Sequence, residues 1–247
     1  MRAHRFRDAG HLPGPAGRDG RDPYELPRQR NGTTPQMHGR YPDWNVLDHA
    51  DHWDGETRRV VMARIADPPP VRFFTAAEAS TLEAFCDVLT AQDSDPRIPL
   101  LRMVDERLYE GRLDGYRYAG MPDDRDTWRL VARGLDGTAS EQFGAASFAV
   151  LSDDQKREIC RRFADGEVAA GAWDELDPKR AWSVVARMTL EAFYSHPWAW
   201  NEIGFAGPAY PRGFARLGVG QSEAWEATPA GPDPDPVAEE RHGIVAP

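Results

Sequence analysis

Five consecutive positions, Asp48-His49-Ala50-Asp51-His52, gather side chains that bind metals and move protons. On a helix, the i, i+3 spacing of His49 and His52 puts both imidazoles on one face, where two ring nitrogens and a flanking carboxylate begin a divalent-metal site. No third element of a recognised site follows at suitable spacing. The plainer reading is a strap held by hydrogen bonds, with His49 and His52 as the metal candidates. His196 is the other candidate for proton chemistry. It stands directly before Pro197 and close to Trp198 and Trp200, where an imidazole could reach toward another protein's active site. Its plainer role is that of a helix-end histidine bonded to the last carbonyls.

The rest of a catalytic inventory is missing from the sequence. There is no G-x-S-x-G, no P-loop, no G-x-G-x-x-G after a strand pattern and no C-x-x-C-H, so no catalytic residue and no cofactor-binding residue is assigned. Asp93 and Asp95 lack the glycine-bearing spacing of a calcium loop and read as cap and loop residues. The two cysteines, Cys86 and Cys160, fall on apolar helix faces and read as buried free thiols, with a disulfide between the two helices as the alternative.

A formal net charge of −10 argues against nucleic acid as the main partner. Residues 1–40 run the other way, with eight arginines against four acids. This basic, Gly- and Pro-rich arm lacks apolar periodicity and is expected to be disordered, as is the acidic, Pro-rich tail 221–247. No stretch approaches the roughly 20 apolar residues that span a bilayer. No apolar run resembling a signal sequence precedes residue 40, and Arg58-Arg59 is followed by too short an apolar run for export. A cytoplasmic location is the expectation, with the periplasm or a membrane surface reached only through a partner.

The elements that position these residues are helical. Asp54 caps a helix over 55–66, which Pro68-Pro69-Pro70 ends. Thr75 and Glu78 form a capping box ahead of Leu82, Phe85, Cys86 and Leu89 at helical spacing. Pro99 opens the next helix and Gly111 ends it. A loop with Tyr116 and Tyr118 follows. Trp128, Val131 and Leu135 mark a further helix, which Gly134 and Gly137 are expected to interrupt. Ser152 and Gln155 make a second capping box, with closure at Asp165-Gly166. Asp177-Pro178 then starts a long helix carrying Trp182, Val185, Met188 and Phe193. The fold expected is all-α: one irregular helical domain of about five or six helices over 41–220, with long Pro/Gly-rich connections between disordered ends.

Everything is organised around residues 189–218, TLEAFYSHPWAWNEIGFAGPAYPRGFARLG, where aromatics sit on a backbone punctuated by proline and glycine. Pro197 is expected to end the long helix, leaving Trp198 and Trp200 on extended backbone and on one side of it. With Asn201, Tyr210 and Arg212, and with His196 beside them, they form the candidate partner-binding set. Apolar rings on irregular backbone need covering, and Trp, Tyr and Arg dominate interface anchors.

The same stretch resembles the C-terminal signature of the gluconate 2-dehydrogenase subunit 3 family. FFTAAEASTLEAFCDVLTAQDSDPR at 73–97 is similar to that family's opening helix and acidic loop, and FAVLSDDQKREICRRFADGE at 148–167 is a third similar run. The resemblance implies a small, non-catalytic subunit that accompanies a large flavoprotein of the glucose–methanol–choline type, often with a cytochrome. FAD is then expected in the partner and no cofactor in this chain. The partner would oxidise a sugar or sugar acid, and this chain would stabilise, mature or orient it. The contrasting class is a self-sufficient helical enzyme using His49, His52 or His196 in a metal or acid–base site.

Overall fold

Every regular element among the described residues is helical. The computed structural model describes residues 41, 44–92, 96–169, 171–213 and 225–227. In chain order the α-helices are α1 (Gly55–Ala66), α2 (Ala76–Leu89), α3 (Leu100–Tyr109), α4 (Asp124–Phe143), α5 (Asp153–Asp165), α6 (Pro178–Tyr194) and α7 (Pro197–Ile203), with 3-10 helices at Val46–His52, Phe148–Val150 and Gly171–Glu175. Among these residues no helix is long and apolar enough to cross a membrane. The expected disordered ends, 1–40 and most of 221–247, lie outside the described residues, as do Asp93 and Asp95.

The predicted caps set the helix starts. Asp54 accepts from the Thr57 amide at the head of α1, and Thr75 with Glu78 and Ser152 with Gln155 close two-way capping boxes on α2 and α5. Each such cap stabilises by about 1 kcal/mol. Asp177 accepts from the Arg180 amide at 3.0 Å where α6 begins.

Chain contacts divide into two compact units, one of Pro69–Phe193 and one of Met1–Pro68 with Tyr194–Pro247. Both draw on the stretch read from sequence as one helical domain. In the 69–193 unit the core is aromatic. Phe163 lies 4.7 Å from Trp173 and 5.3 Å from Trp182 between ring centroids, and Phe85 packs edge-on to Trp182 at 6.0 Å. Asp105 of α3 is fully buried, and its carboxylate accepts from the amides of Arg72, Phe73 and Phe74 at 2.7–3.0 Å, fixing the approach to α2. Those three donors would otherwise be costly orphans.

Gly134 and Gly137 do not interrupt α4, which runs unbroken for 20 residues. Gly134 is there for space: a Cβ on it would meet the Trp173 indole at 2.4 Å. That indole donates to Thr138 at 3.0 Å, one turn along, so ring and helix are locked by packing and by a hydrogen bond.

Cys86 and Cys160 are free and buried, unbridged. The Cys86 thiol meets the Thr189 hydroxyl at 3.7 Å. Burial pushes both thiols up to about 12, so neither ionises readily near neutral pH.

Candidate interaction surface

Within the unit that holds the C-terminal stretch, α7 departs from the sequence expectation. Pro197 does not lead into extended backbone. It occupies the first turn of a new helix, where its missing N–H is no loss, and His196 is the N-cap. Trp198 and Trp200 are therefore about 200° apart around a helix axis instead of side by side.

This geometry sends the six candidate partner-binding residues to different places. Trp200 is buried in a core with Val46, Leu47, Ala50, Trp53, Val61, Met62 and Ile65, and Trp198 packs half-buried against that core. The Trp200 indole donates to the Tyr194 carbonyl at 2.6 Å. Asn201 is buried, and its Oδ1 accepts from the Val46 amide at 2.8 Å. His196 is buried as well: Nδ1 accepts from the Trp198 amide at 3.2 Å and Nε2 meets the Arg64 carbonyl at 3.1 Å. An amide can only donate and a carbonyl only accept, so the pair fixes the Nε2–H tautomer. The sequence reading of a histidine bonded to a helix-end carbonyl is right in kind, but the carbonyl belongs to the last turn of α1. His196, Trp200 and Asn201 are thus structural within this chain, because Val46–His52 and α1 cover them.

Tyr210 and Arg212 remain near the surface. Tyr210 is 65% exposed. Arg212 lies over the Trp225 ring at 4.7 Å and donates to the Ala206 carbonyl at 3.4 Å. Gly207, at φ 75°, passes so close to Trp53 that a Cβ would meet the indole at 2.8 Å, which explains a glycine where the chain turns back toward the exposed end. Ile203 and Phe205 join Tyr210 as exposed apolar side chains. Phe205 is edge-on to Trp200 at 5.5 Å, so a ring in the core holds a ring at the rim.

His49 and His52 share a face of the 3-10 helix, as their spacing predicts for a helical segment. Their rings stack at 6.2 Å, with Trp44 against His49 at 4.6 Å and Trp225 near His52 at 6.5 Å. Burial lowers the pKa of His49, with further lowering from His52 and Arg212 against the opposing pull of Asp48. Among the described residues no group of three or more His, Cys, Asp or Glu side chains is arranged to hold a metal ion.

The profile of the family described as Gluconate 2-dehydrogenase subunit 3 matches residues 76–207, more than half of the 247-residue chain. The chain belongs to that family. A subunit 3 family member is an accessory subunit of an oxidoreductase complex, and the match runs from the first residue of α2 through Gly207. It therefore takes in α7 and leaves the strap and α1, which bury α7's apolar side, outside the matched span. No curated protein and no solved structure matches the chain.

A second surface is only partly visible in the sequence. Tyr116 and Tyr118, which the sequence places simply on a loop, are exposed between α3 and α4. The Arg187 guanidinium lies 5.4 Å from the Tyr116 ring and Arg180 lies 5.6 Å from the Tyr118 ring. Only the three-dimensional placement of α6 reveals these pairings, since the partners are far apart along the chain.

Proposed function

We propose that this subunit 3 family member binds and stabilises, or matures, an FAD-containing flavoprotein dehydrogenase of the glucose–methanol–choline type that oxidises a sugar or sugar acid. The observation that carries the reading is the family match across 76–207. In this reading the flavin and the hydride chemistry belong to the partner, and electrons pass onward to a cytochrome or another acceptor. This chain contributes surface: Ile203, Phe205 and Tyr210 form the rim that the flavoprotein covers, held in place by Trp200 beneath Phe205.

The placement of His196 supports an accessory role over an acid–base enzyme. Both ring nitrogens are engaged with backbone groups in a buried position, so its proton is committed to holding α7 against α1. The stacked arrangement of His49 and His52 between Trp44 and Trp225 likewise suits packing.

The test is co-expression of a glucose–methanol–choline-type flavoprotein dehydrogenase from the same organism, with and without the chain. The reading expects soluble, FAD-loaded flavoprotein and dye-linked sugar oxidation to rise several-fold when the chain is present. Equal yield, FAD content and activity in its absence would overturn the reading.

A further inference from the structure

The loop between α3 and α4 combines exposure with order. Residues 115–120 are all exposed, and Tyr116 is 62% so. Exposed tyrosines on loops are ordinarily free to move, but these two are held from α6. Arg187 covers the Tyr116 ring and donates to its hydroxyl, while also pairing with Asp114 at the base of the loop. Arg180 covers the Tyr118 ring and donates to the Ala119 carbonyl at 2.8 Å. Arg180 and Arg187 stand seven positions apart on α6, two turns along one face. Arg107 adds a bond to Asp114 at 2.7 Å.

Arg117 sits between the two tyrosines and is treated differently. Its neighbours Arg107, Arg112, Arg180 and Arg187 each have a carboxylate partner. Arg117 is exposed, and among the described residues it has neither an ion-pair partner nor a hydrogen bond. The loop thus presents one uncommitted guanidinium flanked by two aromatic rings whose positions are already fixed.

We infer that Tyr116-Arg117-Tyr118 is a docking finger that takes a carboxylate side chain on the surface of the flavoprotein dehydrogenase subunit, an inference that rests on the accessory-subunit reading above. A guanidinium offers a planar fork of donors that matches a carboxylate, and tyrosine and arginine are the side chains that anchor protein interfaces. Because the tyrosines are held in advance, less ordering entropy is lost on docking. Charge selects the kind of partner. The chain carries a net −10, which repels an extended anionic surface such as a membrane or nucleic acid, while one unpaired arginine on a neutral loop accepts a single acidic side chain.

The experiment measures binding of the full chain to a purified glucose–methanol–choline-type flavoprotein dehydrogenase from the same organism, at low and moderate salt, for wild type, Arg117→Lys, Arg117→Ala and Arg117→Glu. Circular dichroism confirms that each exposed-site variant is folded. The expected result is Kd raised at least about tenfold by Arg117→Glu, an intermediate loss for Arg117→Lys, and a shallower salt dependence for Arg117→Ala. Tight wild-type binding that Arg117→Glu leaves unchanged would overturn this inference and leave the accessory reading standing. No wild-type binding would overturn both. Vesicles containing phosphatidylserine form the other arm, and Arg117-dependent binding to them would overturn the assignment to a protein carboxylate.

Discussion

His196 and Arg64 tie the start of α7 to the end of α1 through two hydrogen bonds. The His196 Nε2–H donates to the Arg64 carbonyl at 3.1 Å, and the Arg64 guanidinium donates back to the Ser195 carbonyl, next to His196, at 2.5 Å. Burial lowers the Arg64 pKa, yet the guanidinium stays charged, its ordinary value lying far above neutrality. Nδ1 meanwhile caps α7. One imidazole therefore starts a helix and ties it to the end of another.

His196→Ala should remove the cap and orphan a carbonyl, costing about 1–3 kcal/mol of stability. His196→Asn keeps an N-cap acceptor and should recover part of that loss. Urea unfolding of the three proteins checks this, and equal midpoints would show that the cap contributes nothing.

The two glycines of α4 should respond in opposite directions. Gly134→Ala places a Cβ 2.4 Å from the Trp173 indole, and overpacking of this kind costs about 1–3 kcal/mol. A Cβ at Gly137 would have nothing within 4 Å of it, so Gly137→Ala should stabilise by about 0.5–1 kcal/mol through helix propensity alone. Thermal melts of both variants decide the matter.

That pair also shows where the sequence is legible. Periodicity and caps locate the helices well: Thr75/Glu78, Ser152/Gln155 and Asp177-Pro178 are local signals, and the local chemistry is what they report. Glycine in a helical pattern is ambiguous, because Gly134 answers to Trp173, a contact formed only on folding. Pro197 is ambiguous in the same way. Proline ends one helix and opens the next with equal ease, and His196 is not among the strongly preferred N-cap residues. Extended backbone after Pro197 would put Trp198 and Trp200 on one face and make the buried Trp200 and Asn201 look available to a partner. Tyr210 lies at the surface. The bracing of the loop tyrosines is not legible at all, since nothing near residue 117 in the sequence announces Arg180 or Arg187.

The cysteines should be silent in the native protein. With both thiols buried and held up to about 12, a disulfide-exchange reagent at about pH 8 should react slowly, and both sulfurs should titrate promptly in denaturant. Fast native reaction of either thiol would contradict the burial of α2 or α5.

Acid should weaken the packing of His49. Its folded pKa is lowered from 6.5 by burial and by His52 and Arg212, so the unfolded chain takes up the proton first. The associated stability is full above about pH 6.5 and is lost as pH falls from there through the lower folded value. His49→Gln should flatten the stability profile in that window while leaving the profile above about pH 7 unchanged in shape. Denaturant midpoints across roughly pH 5–8 measure it, and identical slopes for the two proteins would remove His49 from the account.

The Ile203–Phe205–Tyr210 rim gives the central claim its most direct measurement: size-exclusion chromatography with light scattering on the chain mixed with a glucose–methanol–choline-type flavoprotein dehydrogenase from the same organism. Wild type should co-elute with the flavin absorbance at the combined mass. Phe205→Ala with Tyr210→Ala should abolish co-elution while the isolated variant keeps its helical spectrum, since both side chains are exposed and anchor truncations cost about 2 kcal/mol or more of binding. Separate elution of wild type and flavoprotein at micromolar concentrations, or an undiminished complex with the double variant, would contradict the account.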